Sequence, residues 1–221
     1  PCRMPPTIVT ATALLFSIDK QPVVAVQLDI APQWHIYWQN PGDSGLPTTL
    51  STPMGQVETH YPVPNIFTSP GDITTYGYSD TATLFGLGLD QKAQNLPLHV
   101  SWLACKQSQC IPGETELFIQ KTSRAHRKQL RRLFEGLPQD WPDSVPIHRT
   151  DTEISLHWPE DWSISTVEVF PDATVGLTLS SAQTVQHLQS TTTSLSFFTS
   201  VPSEGTAVIT VTTSTHTRAY T

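Results

Sequence analysis

Two cysteines with four residues between them stand between strand-like segments, and this pair limits how the surrounding chain can fold. Residues 98–103 alternate in character before Cys105, and residues 115–120 resume a strand pattern after Cys110. Two strands joined by so short a link form a β-hairpin. Facing residues in an antiparallel pair have Cα atoms about 4.5–5.5 Å apart, which a disulfide can span. The sequence therefore predicts a hairpin whose two thiols can join or separate without rebuilding the backbone.

A reversible redox pair, a structural clip and a metal site are all compatible with this spacing. A closed loop of six residues removes only about 2 kcal/mol of unfolded-state freedom in the chain-entropy model, so a clip here stabilises little. A chain of 221 residues can bury a substantial apolar core without that help. These magnitudes favour redox chemistry, and the other two uses of the pair stay open.

Composition favours an all-β protein and argues against nucleic acid as a partner. The chain has 19 prolines and only 14% charged residues, as expected for short strands joined by proline-marked turns. No 18-residue apolar stretch and no signal peptide are visible. The net charge of the chain is −7, and six of the twelve basic residues lie within 121–132, so the rest of the chain is strongly acidic. An acidic surface argues against nucleic acid as a partner.

The third cysteine, Cys2, has no partner in the chain. It is expected to be a residue without a role in the chemistry or a lipid-modified one.

The pattern along the chain predicts an immunoglobulin-like β-sandwich, a linker helix and a second, smaller β-sandwich. We place these parts at residues 1–122, 123–145 and 146–221. The helix is predicted from Ser123 as its cap to Leu137, with Leu130, Leu133 and Phe134 on its apolar face. The predicted strands are 9–16, 23–30, an aromatic strand from 34, 57–63, 82–89 and the cysteine hairpin, then 153–158, 166–170, 175–179, 194–198 and 207–212. A turn is predicted at 20–22, and residues 65–80 are predicted to be polar and rich in turns.

Two motifs resemble one known family. Residues 35–47 read HIYWQNPGDSGLP, and residues 105–114 read CKQSQCIPGE. Together and in this order they resemble the periplasmic N-terminal region of DsbD/ScsB-type transmembrane thiol-disulfide interchange proteins, and more closely its ScsB branch. The motif-bearing part covers about residues 7–120.

This resemblance implies a function for the pair. Cys110 is expected to form mixed disulfides with partners, and Cys105 is expected to resolve them. The implied activity is protein-disulfide reduction in the periplasm, without a cofactor, metal or small-molecule substrate. The implied partners are thioredoxin-like proteins or domains and a membrane-embedded electron-donor domain in the same full-length chain. The number of residues between the cysteines varies among such proteins, which leaves the geometry of the hairpin tip and the choice of partner open.

The resemblance also implies a mobile cap loop over the cysteines. It corresponds to residues 73–79, with Tyr76 or Tyr78 as the shielding side chain, while Trp38 and Asp43 are further candidates for partner binding. Asp43 is also expected to manage protons near the hairpin. A different possibility is that both tyrosines simply pack within the sandwich.

Two other classes of function compete with disulfide exchange. Thiolates and imidazoles suit Cu(I), so a copper-binding or copper-tolerance module is one alternative. His35, Met54, His60 and His99 are available, but none has a convincing ligand spacing relative to the cysteines. The other alternative is a structural docking sandwich that carries an inert clip.

Overall fold

The first part of the chain is built from strands, as predicted. The computed structural model describes residues 7–89, 93–172, 179, 181–196 and 206–221. Its strands up to residue 121 are β1 Val9–Ile18, β2 Gln21–Ile30, β3 His35–Gly42, β4 Thr49–Thr52, β5 Gly55–Gln56, β6 Glu58–His60, β7 Asn65–Ser69, β8 Ile73–Ser79, β9 Thr81–Leu87, β10 Leu98–Lys106, β11 Gln109–Leu117 and β12 Gln120–Lys121. A short 3₁₀ turn, Ala93–Asn95, precedes β10.

These strands form the two sheets of an immunoglobulin-like sandwich. One sheet has the order β12-β1-β2-β9-β6, and the other has the order β5-β4-β10-β3-β8-β7. β11 pairs with β10 along its whole length, whereas β4 and β3 share the opposite edge of β10. β11 has no further partner strand in the part of the chain that the structure describes. The outer strand of the cysteine hairpin is therefore an edge strand. The predicted all-β, immunoglobulin-like fold class is confirmed.

The predicted turn at residues 20–22 lies slightly too late in the chain. Asp19 and Lys20 form the turn, with φ of 46° and 71°, and Pro22 already pairs with Ser17 inside β2. Two central residues with positive φ match the natural twist of the flanking strands. The proline therefore marks the first positions of the strand rather than the turn itself.

The predictions for residues 57–63 and 65–80 are partly wrong. The predicted strand 57–63 shortens to β6, and the stretch predicted to be turn-rich holds β7 and β8, joined at Gly71 and Asp72. β8 is buried from Thr74 to Tyr78, and both Thr74 and Thr75 lie inside. Threonine and tyrosine fit a pleated sheet well, so their polarity was a poor guide to exposure here.

Within the described residues, a helix of 12 residues packs against the outer face of the first sheet. It spans Arg124–Glu135 (α1), and the His126 amide donates to Ser123 Oγ at 3.3 Å, which confirms the predicted cap. Leu130 is buried, and together with Phe134 it joins a cluster with residues of β1, β2 and β9. Leu133 is 42% exposed, so the predicted apolar face is narrower than its spacing indicates.

By internal packing the described chain divides into two compact units. The first comprises residues up to Pro41, Gly45–Ile66 and Thr75–Leu137, and the second comprises Gly42–Ser44, Phe67–Thr74 and Pro138–Thr221. The helix thus groups with the first unit. The predicted boundaries at residues 122 and 145 stay predictions.

The described residues of the second unit are also mostly strands, with one short α-helix. After residue 137 the elements are β13 Ile147–Arg149, β14 Glu153–His157, β15 Thr166–Pro171, α2 Ser181–Thr184, β16 Val185–His187, β17 Thr192–Ser196, β18 Ala207–Thr212 and β19 Thr217–Tyr220, with a 3₁₀ turn at Glu160–Trp162. They form sheets of order β13-β14-β17 and β16-β15-β18-β19. Trp158 lies in the core of this unit, where its indole N–H donates to Thr193 Oγ1 at 2.8 Å.

Some predictions for this unit and for the N-terminus cannot be compared with the structure. Residues 175–178 of the predicted strand 175–179, Phe197 and Phe198 of the predicted strand 194–198, and Cys2 lie outside the described residues. Among the residues that are described, no helix has both the length and the apolar character needed to cross a membrane.

Candidate functional site

The predicted hairpin and its disulfide are present. Cys105 and Cys110 are joined by an S–S bond of 2.03 Å, and their Cα atoms are 4.1 Å apart. They face each other directly in the register of β10 and β11, next to the closing pair Lys106 and Gln109. The close Cα spacing is that of a non-hydrogen-bonded pair in an antiparallel ladder, where facing side chains are nearest. The register of the hairpin therefore places the two sulfur-bearing residues directly opposite each other.

The turn between the cysteines is tight. Gln107 has φ of 53°, a left-handed backbone conformation that residues other than glycine seldom adopt. Because neighbouring residues of a strand point to opposite faces, Lys106 projects away from the face that carries Cys105. The cation that follows Cys105 in the sequence is thus on the other side of the hairpin.

The two cysteines differ in exposure. Cys105 lies on the inner strand β10 and is 2% exposed, whereas Cys110 lies on the edge strand β11 and is exposed. Ile111 beside it is 37% exposed. An incoming thiolate must approach a sulfur along the S–S axis, so an accessible sulfur is attacked first. The strand positions therefore distinguish an outer cysteine, Cys110, from an inner one, Cys105.

A histidine lies across from the inner cysteine on the next strand. β3 and β10 are paired at Ala104 with Ile36 and at Cys105 with His35. Directly paired residues project to the same face of a sheet, with Cβ atoms about 4.5–5.5 Å apart. His35, Cys105 and Cys110 therefore form a row across three strands.

Tyr37 lies next to His35 on the same face of β3. The Tyr37 hydroxyl and His35 Nε2 are 3.3 Å apart, and the two rings meet edge to face with centroids 5.1 Å apart. Gly45 lies against the tyrosine ring, since a Cβ at that position would be 2.5 Å from it. Burial lowers the pKa of His35 below 6.5 and raises the pKa of Tyr37 above 10.0. Both groups are therefore favoured in their neutral forms.

Comparison with known proteins identifies the family. A sequence model described as "Thiol:disulfide interchange protein DsbD, N-terminal" matches residues 6–122, which is more than half of the chain. The chain belongs to the DsbD N-terminal family. A solved structure, the N-terminal periplasmic domain of ScsB from Proteus mirabilis, matches with a TM-score of 0.60 at 18% identity and covers 96% of this chain and 90% of that one. That likeness shows the fold. The comparison with curated protein sequences found no match.

The cap loop predicted for this DsbD-family chain is a strand in the structure. Residues Ile73–Ser79 form β8, and Tyr76 and Tyr78 are 0% and 4% exposed. Tyr76 packs edge to face on Trp38, and the Tyr78 hydroxyl donates to the Pro62 carbonyl oxygen at 2.8 Å. This arrangement agrees with the alternative that the tyrosines pack within the sandwich. Their role as a shield, and that of Trp38 in partner binding, stay predictions.

The glycine between the two tyrosines, Gly77, has a packing role. A Cβ on Gly77 would overlap the Ile36 carbonyl oxygen and lie 3.1 Å from the Tyr37 Cα. β8 therefore approaches β3 so closely that only glycine fits. Because Ile36 pairs with Ala104, this close approach also fixes the strand that carries His35 next to Cys105.

Asp43 has a clear structural role. The Thr74 amide donates to Asp43 Oδ2 at 2.7 Å, and the Asp43 amide donates to the Thr74 carbonyl oxygen at 2.9 Å. The carboxylate therefore holds the start of β8. Its predicted role in managing protons at the hairpin stays a prediction.

The structure lends no geometry to the copper alternative. No group of three or more His, Cys, Asp or Glu side chains in the described ranges is arranged to hold a metal ion. His60 instead lies 3.1 Å from Glu58, and His99 lies 3.2 Å from Glu114. A copper titration of the reduced protein and of a variant lacking both hairpin cysteines would test that alternative directly.

Sequence reasoning did not assign His35 to the site. The residue begins the motif at 35–47 and was considered as a possible copper ligand, but nothing local connects it to the cysteines. The pairing of β3 with β10 joins segments far apart in the chain, and this long-range register is what places His35 opposite Cys105. The signals that could have pointed to it were the aromatic strand and the motif that begins at His35.

Proposed function

We propose that this DsbD-family chain is a protein-disulfide reductase that passes two electrons from a donor dithiol to the disulfides of partner proteins. The observation that supports it best is the asymmetry of the pair, with Cys110 on an exposed edge strand and Cys105 inside the sheet. One sulfur can meet a partner while the other is held behind it. This is the arrangement that exchange through a mixed disulfide requires.

The exchange follows from this geometry in two steps. In the reduced protein the Cys110 thiolate attacks a partner disulfide and forms a mixed disulfide, which releases one partner thiolate. The Cys105 thiolate then attacks Cys110 Sγ, closes the hairpin disulfide and releases the second partner thiolate. Two electrons leave the hairpin and both partner sulfurs are reduced.

Partners and location follow the family. The proposed partners are thioredoxin-like redox proteins or domains, and the proposed electron donor is a membrane-embedded domain of the same full-length chain. The likeness to the periplasmic domain of ScsB supports a periplasmic location.

Trapping experiments test the two roles. All variants carry Cys2→Ala, so that only the hairpin thiols react. With an oxidised thioredoxin-like protein, Cys105→Ala should accumulate a covalent complex, and Cys110→Ala should accumulate none. A complex formed by the Cys110→Ala variant instead would reverse the roles, and no complex in either variant would contradict the proposed function.

The reduction potential separates an exchanger from a clip. Structural disulfides have potentials below about −300 mV, and exchanging ones have higher values. We expect the Cys105–Cys110 bond to equilibrate with glutathione buffers above that limit. A value below it would indicate an inert clip and a docking role for the sandwich.

A further inference from the structure

We propose that the His35 imidazole exchanges a proton with the Cys105 thiol when the hairpin disulfide opens and closes, and so sets the rate at which the mixed disulfide is resolved. This inference rests on the proposed function. It starts from the row that His35, Cys105 and Cys110 form across β3, β10 and β11. Each residue directly faces the next, so the imidazole and the disulfide share one face of the sheet.

Cys105 needs a local proton acceptor because it is buried. A thiol at 2% exposure cannot readily lose its proton to water, and apolar surroundings raise the pKa of a cysteine. The resolving step nevertheless requires the Cys105 thiolate. Lys106 cannot stabilise it closely, since it projects to the opposite face. The group that faces Cys105 on β3 is His35.

His35 is suited to accept this proton. Burial lowers its pKa, so the imidazole is neutral at pH 7 and can act as a base. Burial raises the pKa of Tyr37, so the phenol stays protonated at pH 7 and is not itself a base. The contact of 3.3 Å between the Tyr37 hydroxyl and His35 Nε2 fixes the orientation of the ring.

The proton and electron balance is simple. During resolution, the Cys105 thiol gives its proton to the imidazole, and the thiolate attacks Cys110 Sγ while the partner sulfur leaves as a thiolate. The imidazolium then returns the proton to that leaving thiolate or to water. When a donor thiolate attacks Cys110 instead, Cys105 leaves as a thiolate, and the imidazole passes to it a proton that it takes up from water.

Other ionisable groups do not offer the same chemistry. On the strands around His35, the titratable side chains are Tyr37 on β3, His99, Cys105 and Lys106 on β10, Cys110, Glu114 and Glu116 on β11, and Tyr76 and Tyr78 on β8. The two carboxylates lie farther along the hairpin, where Glu114 pairs with His99 and Glu116 faces His99 in the register. The tyrosines of β8 are buried. None of these groups replaces a neutral imidazole opposite Cys105.

A stopped-flow reaction with DTNB separates the two steps. The reduced Cys2→Ala protein should release one coloured thiolate in a phase that depends on reagent concentration, as Cys110 attacks. A second should follow in a concentration-independent phase, as Cys105 resolves the adduct. In His35→Gln we expect the first phase to be unchanged and the second to slow about a hundredfold at pH 7.

The pH profile distinguishes proton transfer from a structural effect. In the wild type the second-phase rate should level off above the pKa of His35, which lies below 6.5. In His35→Gln it should continue to rise into the alkaline range as the thiol itself ionises. Tyr37→Phe should give a smaller loss than His35→Gln, because it removes only the hydroxyl that orients the ring.

The control is the same substitution on the same face of the hairpin. His99→Gln replaces a half-exposed histidine that pairs with Glu114, and both phases should stay at wild-type rates. His35→Asn, measured alongside, guards against a folding defect peculiar to the glutamine side chain. A wild-type second phase and pH profile in both His35 variants would overturn the proposal. A wild type that shows no second phase would instead overturn the proposed function and the proposal with it.

Discussion

Replacing Gly77 with alanine tests the close approach of β8 to β3. The added Cβ would overlap the Ile36 carbonyl oxygen and lie 3.0 Å from its carbonyl carbon, whereas ordinary contacts begin at 3.4 Å. The obstacle is backbone, which cannot rotate away as a side chain can. Relief therefore requires the two strands to separate, in the middle of a sheet where Tyr76 and Ile36 are both fully buried.

The expected cost follows from this geometry. Overpacking of a well-packed core costs about 1–3 kcal/mol, and a clash with backbone belongs at the upper end of that range. We expect Gly77→Ala to destabilise the first unit by about 3 kcal/mol, which corresponds to a fall in Tm of about 10 °C for a chain of this size. Scanning calorimetry measures this fall, and hydrogen exchange of peptides from β3 and β8 locates it.

Gly136 offers a matched control. It ends α1 with φ of −86°, and an added Cβ would lie 3.4 Å from the nearest atom, the Leu133 carbonyl oxygen. Gly136→Ala should therefore be neutral or stabilise the protein by about 0.5 kcal/mol through the unfolded chain. Equal melting temperatures for the two variants would refute the reasoning, as would wild-type hydrogen exchange of β3 in Gly77→Ala.

Three further predictions concern single side chains. Tyr78→Phe should cost about 1–2 kcal/mol because it leaves the Pro62 carbonyl without its donor. Burial, with a smaller effect of a neighbouring tyrosine, raises the pKa of Tyr78 well above 10.0. The wild-type protein should therefore lose stability as the pH rises past 10.0, where the unfolded chain releases this proton first. This loss should be smaller in Tyr78→Phe. Ser123→Ala should cost about 1 kcal/mol in denaturant unfolding, since the His126 amide loses its acceptor. Because the pKa of His35 is lowered in the folded protein, the unfolded chain binds this proton more readily below pH 6.5. Acid should therefore destabilise the wild type more than His35→Gln, which urea titrations at pH 5 and 7 measure.

Local signals predicted the hairpin and the helix well. Cys105 and Cys110 lie within one hairpin, so their pairing depends on a turn and two short strands that the sequence encodes in adjacent residues. The helix likewise carries its own beginning and end in Ser123 and Gly136. Such features need no knowledge of distant parts of the chain.

Long-range contacts were the part that sequence could not supply. β8 is a strand because its threonines and tyrosines are buried against neighbours, and the same residues in isolation resemble a polar loop. The sequence gives no sign that Gly77 lies against the carbonyl of Ile36, which leaves no room for a side chain. The position of His35 opposite Cys105 depends on the register of β3 and β10, which no local pattern encodes.

An edge hairpin of a β-sandwich can hold a redox pair because its geometry does not depend on the bond. Nine register pairs join β10 to β11, and Cys105 with Cys110 is only one of them. The disulfide closes a loop so small that breaking it releases only about 2 kcal/mol of unfolded-state freedom. We therefore expect the ladder to keep the two thiols facing each other after reduction, with the inner one beside His35 and the outer one at the edge. In the proposed exchange, electrons would then enter and leave through the outer sulfur without a change of fold.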